Sequence, residues 1–284
     1  MKQTLTWIAK AIAVWLAILI GQALGGMLAL ALTHVTVPTA RDDGPFNLTM
    51  AMIVIAALFA LIVAGLASRM RWGFWGKAAA LFVLIYGLDS VLSQIESVFF
   101  NSFLHLSQAL MIMIGLSNAI KAAVAALVAA ALWRKPLEAP AERFGGLYWK
   151  IPVISPLYIV CYFGAGALIA WKSAAVRAYY GQGFHIDNGQ LILLQAGRGL
   201  IWALLAFLSV KSLTGSKLSR ASLTGAAFSV LMAATLLMPN VLMPWAVRKM
   251  HLLEISSSNF LFGVLASLIL LVGVKASPSG EDRP

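Results

Sequence analysis

Polar connections cut this chain into eight apolar runs, at roughly 7–32, 48–67, 78–101, 104–133, 151–171, 190–210, 221–244 and 255–274. A helix rises ~1.5 Å per residue and the hydrocarbon core of a bilayer is ~30 Å thick, so about twenty apolar residues can cross it. Lipid offers backbone amides no hydrogen-bond partner, which leaves helices and closed barrels as the only spanning structures. The runs show no strand-like alternation of apolar and polar residues. The fold expected is therefore all-α, a polytopic integral membrane protein built as a bundle of about eight transmembrane helices. The lipid bilayer is its first partner, and a bacterial inner (plasma) membrane is the expected location.

Composition supports this reading. The chain is 61% hydrophobic and 11% charged, against roughly 25% charged residues in soluble domains. A net charge of +11 would suggest nucleic acid in a soluble protein. Here the basic residues fall in short connections, with no basic patch interleaved with aromatics, so no nucleic-acid partner is expected. The single Cys161 lies in an apolar run, which excludes a disulfide within the chain.

Counting Lys and Arg on alternate sides of the eight runs places fourteen on one side and five on the other, with Lys121 and Arg198 inside runs. By the positive-inside rule both termini are expected in the cytoplasm. The first run contains the small-residue pattern Ala29, Ala31, but it exceeds the 7 to 15 residues of a signal-peptide core and is read as a retained helix. Asn47-Leu48-Thr49 fits a glycosylation sequon by chance, since it abuts the second run.

Residues 1–274 are read as one transmembrane domain and 275–284 as a disordered cytoplasmic tail. A charged, Pro- and Gly-containing connection, residues 134–150, marks the midpoint, and the chain divides there into possible tandem four-helix halves, 1–135 and 136–274. Glu stands five residues before Asn twice, as Glu96 with Asn101 and Glu254 with Asn259, which hints at a repeat.

Ionisable groups inside a span are costly and mark functional sites by default. At ~1.5 Å per residue, Asp89, Lys121 and Arg198 lie roughly 16, 18 and 20 Å from the cytoplasmic ends of their runs, near the midplane. The short turn near Asn101 and Ser102 makes the third and fourth runs an antiparallel pair, so Asp89 and Lys121 are expected to neutralise each other. Arg198, between Gly197 and Gly199, needs an acidic partner from elsewhere or an anionic ligand, for which its planar fork is suited. Asp89, Lys121, Arg198 and the nearby Gln195 are the candidate substrate-binding residues, and an anionic small molecule or lipid is the candidate ligand.

A second group, Glu96, Asn101, His105, His185, Arg248, His251, Glu254 and Asn259, maps to the outer interface. His251 and Glu254, at i and i+3, share a helix face, and Glu96 could complete an acid–base site. These three are the candidate catalytic residues. No metal is assigned, and no cofactor is expected: there is no Walker A loop, no Gly-x-Ser-x-Gly elbow and no Cys-x-x-Cys pair. The leading expectation is a small permease or carrier with an intramembrane charged site. The alternatives are a membrane-embedded hydrolase acting at the outer face on lipid or peptide, and a non-catalytic assembly subunit.

Overall fold

A computed structural model describes residues 2–41, 43–181 and 187–276. Eight helices are long and apolar enough to cross a membrane: Lys2–Thr33, Leu48–Arg69, Phe74–Phe99, Gln108–Leu132, Leu147–Lys172, Asn188–Ser212, Lys217–Leu237 and Trp245–Leu271. They are referred to as the first to eighth spans. The expected tail falls mostly on residues 277–284, and His185 on 182–186, both outside the described residues.

Local chemistry sets the boundaries. Asn47 caps the second span by accepting a hydrogen bond from the Met50 amide at 2.9 Å, so the apparent sequon is a helix start. Ser107, Asp187 and Ser216 cap the fourth, sixth and seventh spans in the same way. Between the third and fourth spans the connection is longer than a tight turn. It holds a short helix, Asn101–Leu104, and His105 in the left-handed region at φ 51°.

The eighth span departs most from expectation. It begins at Trp245 rather than near Ile255, because Pro244, at φ −67°, serves as the residue before the first turn instead of interrupting a helix. His251 and Glu254, which precede the eighth run as read from the sequence, therefore lie on the same long helix as Asn259, and Asn259 is buried.

In the first half, the first span packs on the second and fourth, and the third on the fourth; in the second half, the fifth packs on the sixth and eighth, and the seventh on the eighth. The halves meet where the second span packs on the seventh and the third on the sixth. The neighbour set is the same in both halves when each span is matched to the one four places on. The Glu–Asn match read from the sequence does not follow this correspondence, since Glu96 lies on the third span and Glu254 on the eighth.

Small residues allow the closest approaches, as is usual between helices in lipid. A Cβ on Gly25 of the first span would stand 2.5 Å from the Ser117 carbonyl oxygen of the fourth, and one on Gly263 of the eighth 2.8 Å from Gly225 Cα of the seventh. Trp202, Phe228, Phe262 and Tyr158 form an aromatic core in the second half, with Trp202 and Phe228 centroids 4.7 Å apart.

The end of the bundle that collects most Lys and Arg is tied by long-range contacts. Lysines donate to the orphan carbonyls that close helices: Lys10 to Leu132 O at 2.6 Å, Lys77 to Trp133 O and Lys135 O, and Lys150 to Leu270 O and Val272 O. Glu142, on the connection between halves, pairs with Arg71 at 3.0 Å and with Arg220 at 2.8 Å. Residues Glu142–Arg143 form a two-stranded antiparallel ribbon with Lys275–Ala276. Arg71 N donates to Ser212 O at 2.8 Å and Thr214 N to Arg69 O at 2.9 Å, so the ends of the second and sixth spans are joined by an antiparallel bridge.

Candidate functional site

The third span carries the charges of two separate pairs. Its helix widens into a single π-helical stretch, Gly87–Val91, that contains Asp89. Such bulges inside α-helices recur at functional positions. Lys121 Nζ of the fourth span stands 2.6 Å from Asp89 Oδ2, the side chains being 7% and 1% exposed. The Lys121 ammonium also lies 5.3 Å from the centre of the Phe59 ring. Beyond Lys121, neither Asp89 oxygen has a hydrogen-bond partner among the described residues. The carboxylate depends on one cation.

Seven residues on, roughly 10 Å along the helix, Glu96 Oε1 accepts from Arg198 Nη1 of the sixth span at 2.5 Å. The same nitrogen donates to Gln195 Oε1 at 2.8 Å. Arg198 is 1% exposed as a side chain and Glu96 22%. The guanidinium carbon lies 5.7 Å from the centre of the Tyr158 ring on the fifth span. Gly199 gives the fifth span room, since a Cβ there would meet Ser155 Oγ at 2.8 Å, and Ser155 in turn donates to Ala196 O at 2.8 Å. Gly197 faces open space. The two glycines beside Arg198 thus serve opposite sides of the helix.

A third cluster follows on the eighth span. His251 Nδ1 is 2.7 Å from Glu254 Oε2, and its Nε2 is 3.0 Å from the Tyr180 hydroxyl, which is carried by a short helix, Ala174–Tyr180. Burial pushes the Tyr180 phenol well above its usual value, and Tyr179, Glu96 and Glu254 add to the effect. The His251 ring thus bridges the Tyr180 hydroxyl and the Glu254 carboxylate, one through each nitrogen. Tyr179 and Phe103 cover this cluster, with ring centres 5.6 Å apart. Nearer the end of the bundle, Arg248 is fully buried and bonds Asp43 and the Met238 carbonyl, while Asp43 accepts from the Trp245 amide at 2.6 Å.

The candidates therefore regroup. Asp89 and Lys121 meet, as the antiparallel pairing implies. Arg198 does not join them at one level; its acid is Glu96, which the sequence had assigned to the outer group. Glu96 consequently does not bond His251 or Glu254, which pair with each other. Among the described residues no group of three His, Cys, Asp or Glu could hold a metal. Asn101 closes its own turn through Leu106. The hydroxyls of Ser256, Ser257 and Ser258 donate to carbonyls of their own helix.

Tyr180, Tyr158, Tyr162 and Asp43 were missed in the sequence. Asp43 carries a faint signal, an acid in the loop opposite the buried Arg248. The tyrosines carry none, because aromatic residues near a membrane boundary are ordinary. No family model matches the chain, and no similar characterised protein or solved structure is found.

Proposed function

We propose that the protein is a carrier for a small anionic solute, made of tandem halves 1–135 and 136–274, with its basic end and both termini in the cytoplasm. The observation that carries this reading is the Glu96–Arg198 pair, which joins the third span to the sixth across the seam between the halves. A carrier with repeated halves binds its solute at such a seam and moves one half against the other. The matching neighbour sets of the two halves support that architecture. Asp89 and Lys121 sit deeper on the same third span and supply a second charge pair whose state can follow the first.

The test is flux. Purified protein in liposomes should take up one or more members of a panel of small organic anions, saturably, and Arg198→Met should abolish the uptake at preserved folding. Absence of saturable uptake across the panel would reject the carrier.

A second reading, an acid–base enzyme acting near the end opposite the basic one, is favoured by the Tyr180–His251–Glu254 chain of hydrogen bonds. The neighbouring serine hydroxyls donate to carbonyls of their own helix and not to His251. Hydrolysis of ester or phospholipid probes, lost in His251→Gln, would favour it over the carrier.

A further inference from the structure

Arg198 is held by one nitrogen. Among the described residues both of its hydrogen bonds leave from Nη1, and its Nε–H has no acceptor. Gln195 is 0% exposed; its Oε1 accepts from Arg198, and its Nε2 has no acceptor either. Buried donors are nearly always paired in folded proteins, so each exception asks for an explanation. These two stand at i and i+3 on one helix face. An unpartnered Nε–H recurs at Arg71, Arg220 and Arg248, so it is the combination here, Gln195 Nε2 without an acceptor beside a guanidinium bonded through one nitrogen, that leaves room for an acceptor from outside the described residues.

An apolar groove of about 520 Å³ opens along the third span, lined by its Tyr86, Val91, Gln94, Ile95, Val98 and Phe99 and by Leu194 of the sixth. Leu194 is one turn from Arg198, and Phe99 is one turn from Glu96, so the groove runs along the two helices that carry the ion pair, which does not itself line it. A guanidinium presents parallel N–H bonds that match the two oxygens of a carboxylate. Cationic donors beside an apolar groove describe a ligand that is acidic at one end and apolar at the other.

We infer that Arg198 and Gln195 bind the carboxylate of a small organic acid whose apolar chain lies in the groove, and that Glu96 yields its place by taking up a proton. This rests on the carrier reading and names its substrate class. The balance is simple. Before binding, the site holds one guanidinium and one carboxylate; afterwards it holds the guanidinium, the ligand carboxylate and a neutral Glu96. One O–H bond forms on Glu96 with a proton given up by the buffer acid, whose conjugate base stays in solution, and the site stays neutral. A displaced Glu96 carboxylate left charged and unpaired would be the costly alternative.

The groups around Glu96 are few. The sixth span presents Arg198, the fifth Tyr158 and Tyr162, and the short helix Tyr180, with His251 and Glu254 of the eighth span beyond it. The fourth span contributes Lys121, already paired with Asp89. Of these, His251 is the imidazole, the side-chain type that can exchange a proton in the physiological range. It is the necessary control.

Hexanoate binding to the protein in nanodiscs, followed by calorimetry between pH 5.5 and 8.0 in two buffers of different ionisation heat, tests the assignment. Wild type should take up one proton per hexanoate, with affinity falling by up to about tenfold per pH unit. Glu96→Gln should bind without proton uptake and without pH dependence, whereas His251→Gln should keep both. Acetate should bind more weakly than hexanoate, and inorganic phosphate not at all. The wild-type proton count needs no variant and decides the matter even where a substitution prevents folding. No saturable hexanoate binding, proton uptake that persists in Glu96→Gln, equal affinity for acetate and hexanoate, or phosphate binding as tight would overturn the assignment. Proton-linked binding without flux would reject the carrier and leave the site. Flux with pH-independent binding would do the reverse.

Discussion

Lys121 Nζ and Asp89 Oδ2 meet at 2.6 Å, with neither side chain more than 7% exposed and, among the described residues, no other hydrogen-bond partner on the carboxylate. Each charge is tolerated in the bundle only through the other. Removing one partner of such a pair strands the remaining charge and costs on the order of 3 to 5 kcal/mol, while removing both costs less. Asp89→Asn and Lys121→Met should therefore each lower stability in detergent, and the double variant should recover part of the loss. Strictly additive losses would show that the two residues are uncoupled.

Arg198→Lys separates folding from binding. A lysine can still face Glu96, but a single ammonium cannot reproduce the parallel N–H bonds of the guanidinium. Unfolding midpoints should stay within a few degrees of wild type, while binding of organic anions, followed by native mass spectrometry at matched folding, falls at least tenfold. Equal anion binding by the two proteins would remove Arg198 from the site.

Two neighbouring glycines should respond in opposite ways. Gly25 lies against the Ser117 carbonyl of the fourth span, and Gly26 has no atom within 4 Å of the position a Cβ would take. Gly25→Leu must push two helix backbones apart and should cost about 1 to 3 kcal/mol. Gly26→Leu should be near neutral. Comparable losses in a denaturant titration would mean that the first span does not pack on the fourth as described.

Alkaline titration reports on Tyr180. Burial holds its phenol protonated above the usual value of 10.0. An acid whose folded value is raised contributes stability that is fully present below the unfolded value and is lost as pH rises through it toward the folded one. Wild type should therefore lose stability above pH 10 more steeply than Tyr180→Phe. In the folded protein, tyrosinate absorbance below pH 10 should be the same in both. A drop in that absorbance in Tyr180→Phe would show that the phenol ionises normally and that its bond to His251 is not maintained.

What the sequence disclosed follows from the range of each interaction. Eight spans were legible because hydropathy accumulates over twenty residues and needs no partner. The Asp89–Lys121 pair was legible because a short connection forces neighbouring spans together. Glu96 and Arg198 are 102 positions apart, and their meeting depends on which spans adjoin across the seam, which no local pattern encodes. The start of the eighth span was misread for a related reason. Arg248, His251 and Glu254 lower its hydropathy, and the groups that neutralise them, Asp43 and Tyr180, come from distant connections. The seventh run as read from the sequence takes in residues 238–244 because a proline that ends a helix and one that begins it look alike until the next turn is seen.

The bridge between Arg69–Arg71 and Ser212–Thr214 is made of main-chain hydrogen bonds. Every residue but proline can make such bonds, so the fastening does not depend on which side chains stand at Arg71 and Thr214. If the halves separate, they do so as the covers of a book bound along one spine, with the pages parting at the far edge. The Glu96–Arg198 contact lies well away from that binding. A small change in angle at the spine becomes a large change in distance at the contact, so an ion pair at 2.5 Å is where such an opening would first be felt.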